Sequence, residues 1–201
     1  MSNFAAEATG SSGEAEGWVR DSPLDGAEKE LLLAFVRRFP GLGFTRDAGA
    51  RAGRAAEQKE GVRLPPWLHG IRQVLCSAAP DVQVRFDDFD SYTPRADYLE
   101  EIWYSIGLVS MGEEQRHLFV EEAGVFPVGE WEESNRSFLA VNLRDVGDTQ
   151  VLEFSAPDLM DNISEGKPAN VSVHPAFRSY ASMLSHVTAC RTADGAVVEA
   201  Q

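Results

Sequence analysis

Residues 125–154, "VFPVGEWEESNRSFLAVNLRDVGDTQVLEF", decide the fold of this chain. "SFLAVNL" and "QVLEF" are apolar, strand-like runs, and "RDVGDT" between them is a turn that contains a glycine. This order predicts an antiparallel hairpin. A glutamate-rich turn is predicted just before the hairpin, at 130–135. The segment holds no evident nucleophile, metal cluster or phosphate loop, so its role has to be sought in the sequence around it.

Helical patterns flank this hairpin. A first helix is predicted over 26–39, because apolar residues recur on one face and Asp25 with Glu28 resembles a capping box. A second begins at Pro65 and Pro66, since proline is tolerated in a first helical turn. Further helices are predicted over 156–166 and over 175–187. The apolar face of the first helix consists of Leu32, Phe35, Val36 and Phe39.

Strand patterns fill the middle of the chain. "DVQVRF" alternates with the period of a strand, and "EIWYSIGLVSM" and "RHLFVEEAGVFPVG" add β-rich material. Strands grouped together and flanked by helices indicate an α+β fold. The predicted organisation is a disordered Gly/Ser-rich acidic tail over 1–20, an extra helix and linker over 21–55, an α+β domain over 56–188 and a loose tail over 189–201.

The charge of the chain is concentrated in one part of the sequence. Of the 32 acidic residues, 20 lie between residues 81 and 165, where only five Lys or Arg occur, so this part carries a net charge of −15. Such a field repels nucleic acids and anionic membranes and attracts basic partners. The alternative interpretation is that the acidic residues only keep the protein soluble.

Composition bounds the class of protein. Hydrophobic residues make up 43% of the chain and charged residues 25%, which suits one globular domain. The N-terminal residues lack the basic start and apolar stretch of a secretory signal, and no apolar run is long enough to span a membrane. These features predict a cytoplasmic protein. The two cysteines, Cys76 and Cys190, are expected to remain free thiols.

Motifs for catalysis or metal binding are weak. Asp87, Asp88 and Asp90 in "DDFD" offer carboxylates that suit Mg²⁺ or Ca²⁺, but the glycine and the distal glutamate of a calcium loop are missing. An acidic loop is therefore the preferred interpretation. The sequence has no P-loop, no GxGxxG and no G-x-S-x-G. We therefore predict no cofactor, no metal site and no enzymatic activity. Catalysis by a carboxylate pair remains an alternative, since acidic pairs are abundant.

Four segments in order carry a resemblance to a known family. "EQKEGVRLPPWLHGIRQVL", "VFPVGEWEESNRSFLAVNL", "GDTQVLEF" and "FRSYASML" resemble the SUKH superfamily of bacterial immunity proteins and fungal cell-wall regulators. The likeness covers residues 57–187 and implies a curved antiparallel β-sheet flanked by helices. The residues that match the family's entry signature are Glu57, Gly61, Val62, Leu64, Pro65, Leu68 and Ile71.

The resemblance implies a protein-binding module, most concretely an immunity protein that neutralises a basic, nucleic-acid-targeting toxin. The alternative is a cytoplasmic scaffold or regulatory module with no toxin partner. Trp131 is expected to act as an interface anchor among acids, because tryptophan is common in binding hot spots, although a core position is the other interpretation. The oligomeric state is left open. The predicted partner-binding residues are Asp87, Asp88, Asp90, Glu113, Glu114, Glu130, Trp131, Glu132 and Glu133.

Overall fold

The computed structural model describes residues 9–46, 48–74, 76–77, 82–86, 103–131, 137–191 and 195–201. The helices in these ranges are α1 (Ser12–Asp21), α2 (Gly26–Arg38), α3 (Ala48–Glu60), α4 (Pro66–Val74), α5 (Glu113–Arg116), α6 (Ala156–Ser164) and α7 (Tyr180–Ser185), with a π-helix (His117–Ala123) and a 3₁₀ turn (Ala169–Ser172). The strands are β1 (Thr9–Gly10), β2 (Phe44–Thr45), β3 (Cys76–Ser77), β4 (Val82–Phe86), β5 (Tyr104–Ile106), β6 (Val125–Trp131), β7 (Ser137–Asn142), β8 (Val151–Ser155), β9 (Val173–Phe177), β10 (Val187–Arg191) and β11 (Val197–Glu199).

The main sheet has eight strands in the order β11-β10-β4-β5-β6-β7-β8-β9. All neighbouring pairs are antiparallel, which confirms the α+β class. The predicted hairpin is β7–β8. Its turn is built by side chains, because Asn142 Oδ1 accepts from the Arg144 amide (2.9 Å) and Asp145 Oδ1 accepts from the Gly147 amide (3.0 Å). A separate three-stranded sheet joins β1, β2 and β3.

The main sheet is strongly curved. Phe86 of β4 and Phe177 of β9 stand five strand spacings apart along the sheet, about 24 Å if it were flat. Their ring centroids are only 5.4 Å apart, so the sheet bends until its two halves meet across a concave face. Tyr104 also packs on Phe86 there, at 5.3 Å, and α7 approaches through His186, whose ring is 5.5 Å from Phe177. The predicted curved antiparallel sheet is therefore present.

The opposite face of β7 and β8 is also buried. Phe138 and Phe154 face each other across these strands, with ring centroids 5.3 Å apart. Phe119 of the π-helix packs on both, at 5.1 and 4.8 Å. The sheet thus forms the central layer, and the π-helix lies on its outer face.

The helix predicted over 26–39 is α2, which ends at Arg38. The Asp25 side chain caps it by accepting from the Glu28 amide at 2.9 Å. At its other end Arg38 donates to the Ser185 and Val187 carbonyls (2.5 and 2.6 Å). This arginine satisfies carbonyls at the end of α7 and fixes α2 to the C-terminal part of the fold. The helices predicted to begin at Pro65 and Pro66 and over 156–166 are confirmed as α4 and α6.

The disorder predicted over 1–20 is wrong for α1. Ser11 caps this helix in a capping box with Glu14, and Ala15 and Val19 are fully buried. Trp18 packs on Gly10, where a Cβ atom would lie 2.4 Å from the ring. The Gly, Ala, Ser and Glu composition conceals a short amphipathic helix. Residues 1–8 lie outside the described ranges.

The linker predicted within residues 21–55 is also wrong from residue 48 onward, because α3 begins there. Gly49 and Gly53 allow α3 to lie close to α4: a Cβ at Gly49 would be 2.3 Å from the Arg72 carbonyl oxygen, and one at Gly53 would be 2.8 Å from the His69 ring. These glycines serve close helix packing instead of loop flexibility. The predicted domain boundary at 55–56 therefore falls inside a helix.

The C-terminal predictions need two corrections. Residues 173–177 form β9, and the helix predicted over 175–187 is confined to α7, which Ser179 caps by accepting from the Ser182 amide (3.0 Å). The loose tail predicted over 189–201 contains the end of β10 and all of β11. Strand β10 is ordered because it pairs with β4. The two strands are about 100 residues apart, and local sequence patterns do not reveal such a partner.

The β-rich interpretation of "RHLFVEEAGVFPVG" is half right. Residues 117–123 form the π-helix, and the strand begins only at Val125. Gly124 separates the two with φ +72°, a backbone conformation that glycine adopts readily.

Candidate functional site

The predicted site residues fall into three groups. Glu113 and Glu114 lie exposed in the first turn of α5. Glu130 and Trp131 lie at the end of β6. Asp87, Asp88, Asp90, Glu132 and Glu133 lie outside the described residues.

Trp131 does not occupy an exposed turn. It is the last residue of β6, opposite Tyr104 of β5, and only 8% of it is exposed. Its indole Nε1 is buried and has no hydrogen-bond partner among the described residues. The glutamate-rich turn predicted from residue 130 is therefore wrong for Glu130 and Trp131, which are held by strand pairing. Packing against the core therefore determines the position of Trp131, although its neighbours in the sequence are acidic. Little of the ring is exposed for a partner to contact.

The helical segment that carries Glu113 and Glu114 is fixed at both ends. The Gln115 side chain accepts from the Gly112 amide (3.2 Å) at the start. At the far end Arg144 Nη2 donates to the Glu122 carbonyl (2.6 Å) and lies over Gly124, where a Cβ would be 2.3 Å from its Nε. Phe119 anchors the middle on the sheet. The segment therefore presents its glutamates on a well-supported scaffold.

Ion pairs organise the π-helix. Glu121 accepts from Arg116 (2.6 Å) and lies 2.7 Å from His117 Nδ1. The hydrogen bond that His117 donates to Glu121 raises the pKa of His117, and the same contact lowers the pKa of the Glu121 carboxyl. His117 Nε2 is also 3.7 Å from Glu122. Both partners are thus held in their charged forms over a wider pH range than in isolation.

Helix α6 carries a second group of exposed acidic residues. Leu159 is fully buried, whereas Met160 is 51% exposed between the exposed Asp158 and Asp161. The π-helix contacts the 3₁₀ turn that follows α6. We define the acidic surface as Glu113, Glu114, Glu121, Glu122, Asp158 and Asp161, with Met160 as its apolar member.

The sequence prediction missed Met160, Asp158 and Asp161. A signal for Met160 was present, because it falls between Leu159 and Ile163, the residues that face inward from α6. An exposed methionine among acids suits contact with a partner, since its flexible side chain adapts to irregular surfaces.

The resolved pKa shifts of carboxyls among the described residues all have the same direction. The carboxyls of Glu16, Glu57, Glu121 and Glu165 all have lowered pKa values, the effect of cationic or hydrogen-bonding neighbours. A general acid needs the opposite shift. Within the same ranges, no cluster of three or more His, Cys, Asp or Glu side chains is arranged to hold a metal ion. Nor is any helix in the described part of the chain both long and apolar enough to cross a bilayer.

Comparison with protein-family models, with curated proteins and with solved structures finds no match for this chain.

Proposed function

We propose that this protein is a non-enzymatic, cytoplasmic immunity protein of the SUKH type, which neutralises a basic toxin by covering the toxin's active surface. The observation that carries the proposal is the acidic surface. Its six exposed carboxylates and the exposed Met160 lie on α5, the π-helix and α6, within the part of the chain that carries a net charge of −15.

The mechanism is electrostatic and steric. A toxin that cleaves nucleic acid carries cationic side chains where it binds phosphates. The acidic surface attracts those side chains, speeds association and fixes the register of the complex. Met160 supplies apolar contact within the charged rim, where burial contributes more than exposed ion pairs do. The bound immunity protein then occupies the place of the nucleic acid.

The test is a binding measurement with the toxin domain encoded beside this chain's gene. We expect co-expression to rescue growth. Glu113→Lys together with Glu114→Lys should slow association at least roughly tenfold, since rim charges act mainly on the association rate. Met160→Ala should chiefly speed dissociation. Stopped-flow fluorescence measures both rates.

The matched control is Asp21→Lys with Glu30→Lys, an equal charge change at exposed positions of α1 and α2. It should leave both rates almost unchanged. Equal rates for the wild type and the Glu113/Glu114 variant would show that the acidic surface is not the toxin site. If the neighbouring genes encode no toxin and the chain binds a cellular protein independently of salt, the scaffold alternative replaces the immunity proposal.

A further inference from the structure

A groove with basic edges lies along α3, well separated in sequence from the acidic surface. It encloses about 400 Å³ between the C-terminal half of α3 and the loop that follows it. Arg54 and Arg63 are exposed at its edges, and neither side chain has a hydrogen bond or ion pair among the described residues. The residues lining this basic groove are Arg54, Glu57, Gln58, Val62 and Arg63.

The one carboxylate of the groove is already engaged. Glu57 Oε1 accepts from the Leu64 amide (2.8 Å) and lies 3.1 Å from His69 Nε2. It is therefore occupied on the inner side. The charge of Arg63 also lowers the pKa of Glu57, whereas Arg54 makes no hydrogen bond or ion pair with other described residues. Residues 46–63 hold five Lys or Arg against three Asp or Glu, a local net charge of +2 in a chain of −14. The groove is thus suited to carboxylates supplied from outside.

The basic groove and the start of the acidic surface are neighbours. Lys59 of α3 donates to the Ser110 hydroxyl at 2.5 Å. Ser110 precedes Glu113 by three residues, a reach of at most about 11 Å. The side chains of Glu113 and Glu114 are exposed and, like those of Arg54 and Arg63, make no hydrogen bond or ion pair with other described residues. Exposed positive and negative side chains therefore lie on neighbouring segments of the fold.

Adjoining patches of opposite charge are self-complementary under a two-fold rotation. In such an interface each patch of one copy meets the other patch of its partner, so both contacts form at once. We propose that two copies of this chain associate in this way, with Glu113 and Glu114 of each copy in the basic groove of the other. Val62, Leu108 and Val109 are partly exposed on the joined segments and supply apolar contact at the centre.

This association reaches beyond the proposed function and does not depend on it. The two chains repel each other through their net charges, and at about 0.1 M salt this repulsion is screened beyond about 10 Å, whereas directly contacting pairs persist. The dimer also covers two carboxylates of the acidic surface. If the immunity proposal holds, the monomer is the form that binds toxin.

The experiment uses two charge-reversal variants of the full chain and sedimentation velocity at about 0.1 M salt. One variant is Arg54→Glu with Arg63→Glu, and the other is Glu113→Arg with Glu114→Arg. Each alone places like charges in both contacts, so we expect at least a tenfold rise in the dimer dissociation constant. Mixed in equal amounts, the two variants have opposite charges in both contacts and should form a heterodimer.

Circular dichroism melting verifies that each variant is folded. Arg20→Glu with Lys167→Glu, an equal charge change elsewhere on the surface, should dimerise like the wild type. A wild-type chain that stays monomeric at about 100 μM overturns the proposal. So does a dimer that survives both reversals, or a mixture of the variants that fails to pair. Binding of an acidic peptide by a monomeric wild type would reassign the groove to another partner.

Discussion

Glu57 joins three parts of the fold through one carboxylate. It belongs to α3, accepts from the Leu64 amide beyond the end of that helix, and contacts His69 of α4. The turn it supports contains Gly61 at φ +67°. The side chain therefore fixes the path by which the chain leaves α3 and enters α4.

Replacing Glu57 by alanine should lower the free energy of unfolding by about 1–2 kcal/mol, because the Leu64 amide loses its acceptor. Urea denaturation at pH 7 measures the change. Gln58→Ala is the matched control, since Gln58 is the exposed neighbour on the same helix, and it should cost less than about 0.5 kcal/mol. Equal decreases in the free energy of unfolding of the two variants would show that Glu57 does not stabilise the turn between α3 and α4.

The contribution of Glu57 should also depend on pH. Burial opposes its charge, but the Leu64 amide and His69 outweigh burial and hold the pKa of Glu57 below its usual value of 4.5. A lowered folded-state pKa stabilises the protein above the unfolded-state pKa, and this stabilisation disappears as the pH falls through the folded value. The stability difference between wild type and Glu57→Ala should therefore shrink as the pH falls below about 4. A difference that grows on acidification would contradict this assignment.

The residue scale also shows the limit of sequence-based site prediction. The charges of Glu113 and Glu114 could be located from the sequence, because exposed acids need no special packing. The burial of Trp131 could not, since it depends on pairing between β5 and β6 and on a core assembled from distant segments. Met160 was overlooked although its position between the inward-facing Leu159 and Ile163 was a signal in the sequence.

At the scale of elements, helix α1 shows that residues 12–21 are ordered, although the sequence predicted disorder over most of them. Its buried residues Ala15 and Val19 belong to the same core as the sheet, and α1 packs against α2. Glu16 pairs with Arg20 in α1 and with Arg37 in α2, at 2.6 and 2.9 Å. The helix is thus an integral part of the fold.

Val19→Ala should therefore lower the free energy of unfolding by about 2 kcal/mol, through lost apolar burial and the cavity left behind. Val197→Ala provides a matched control, because Val197 is 49% exposed at the edge strand β11. We expect little change for the control in urea denaturation. If Val19→Ala were as stable as the control, α1 would contribute nothing to the core.

Elements were predictable where local chemistry defines them. The proline pair before α4, the Asp25 cap and the turn of the β7–β8 hairpin all act within a few residues. Gly49 and Gly53 misled the prediction, because glycine in a sequence indicates flexibility but here permits contact with α4. Strand β10 was missed because its partner β4 is remote in sequence. Strand β11 was missed because it pairs with β10 and so depends on that remote pairing.

For the whole molecule, curvature of the sheet determines how the core closes. The contact between Phe86 and Phe177 connects strands that are five positions apart. Phe177 lies in the edge strand β9, and its side chain is buried. Its ring therefore holds this end of the sheet against β4.

Phe177→Ala should lower the free energy of unfolding by about 3–5 kcal/mol, the cost typical of removing a buried phenylalanine. Hydrogen exchange should show faster exchange in β9 and in α7 together, because both depend on this contact. Val171→Ala, at a position that is 53% exposed, is the control. Loss of protection in β9 alone would mean that the edge strand opens independently of α7.

The bonds from Arg38 to the Ser185 and Val187 carbonyls bear on how the chain is made in the cell. They connect residues 147 and 149 positions apart. At about 5–20 residues per second, a ribosome needs roughly 7–30 s to synthesise that interval. During this time the apolar face of α2 lacks the contact with α7 that covers it in the folded protein. Folding is also slowed, because a long loop must close before the two helices meet. Nascent α2 is therefore the segment where a chaperone would be expected to bind first.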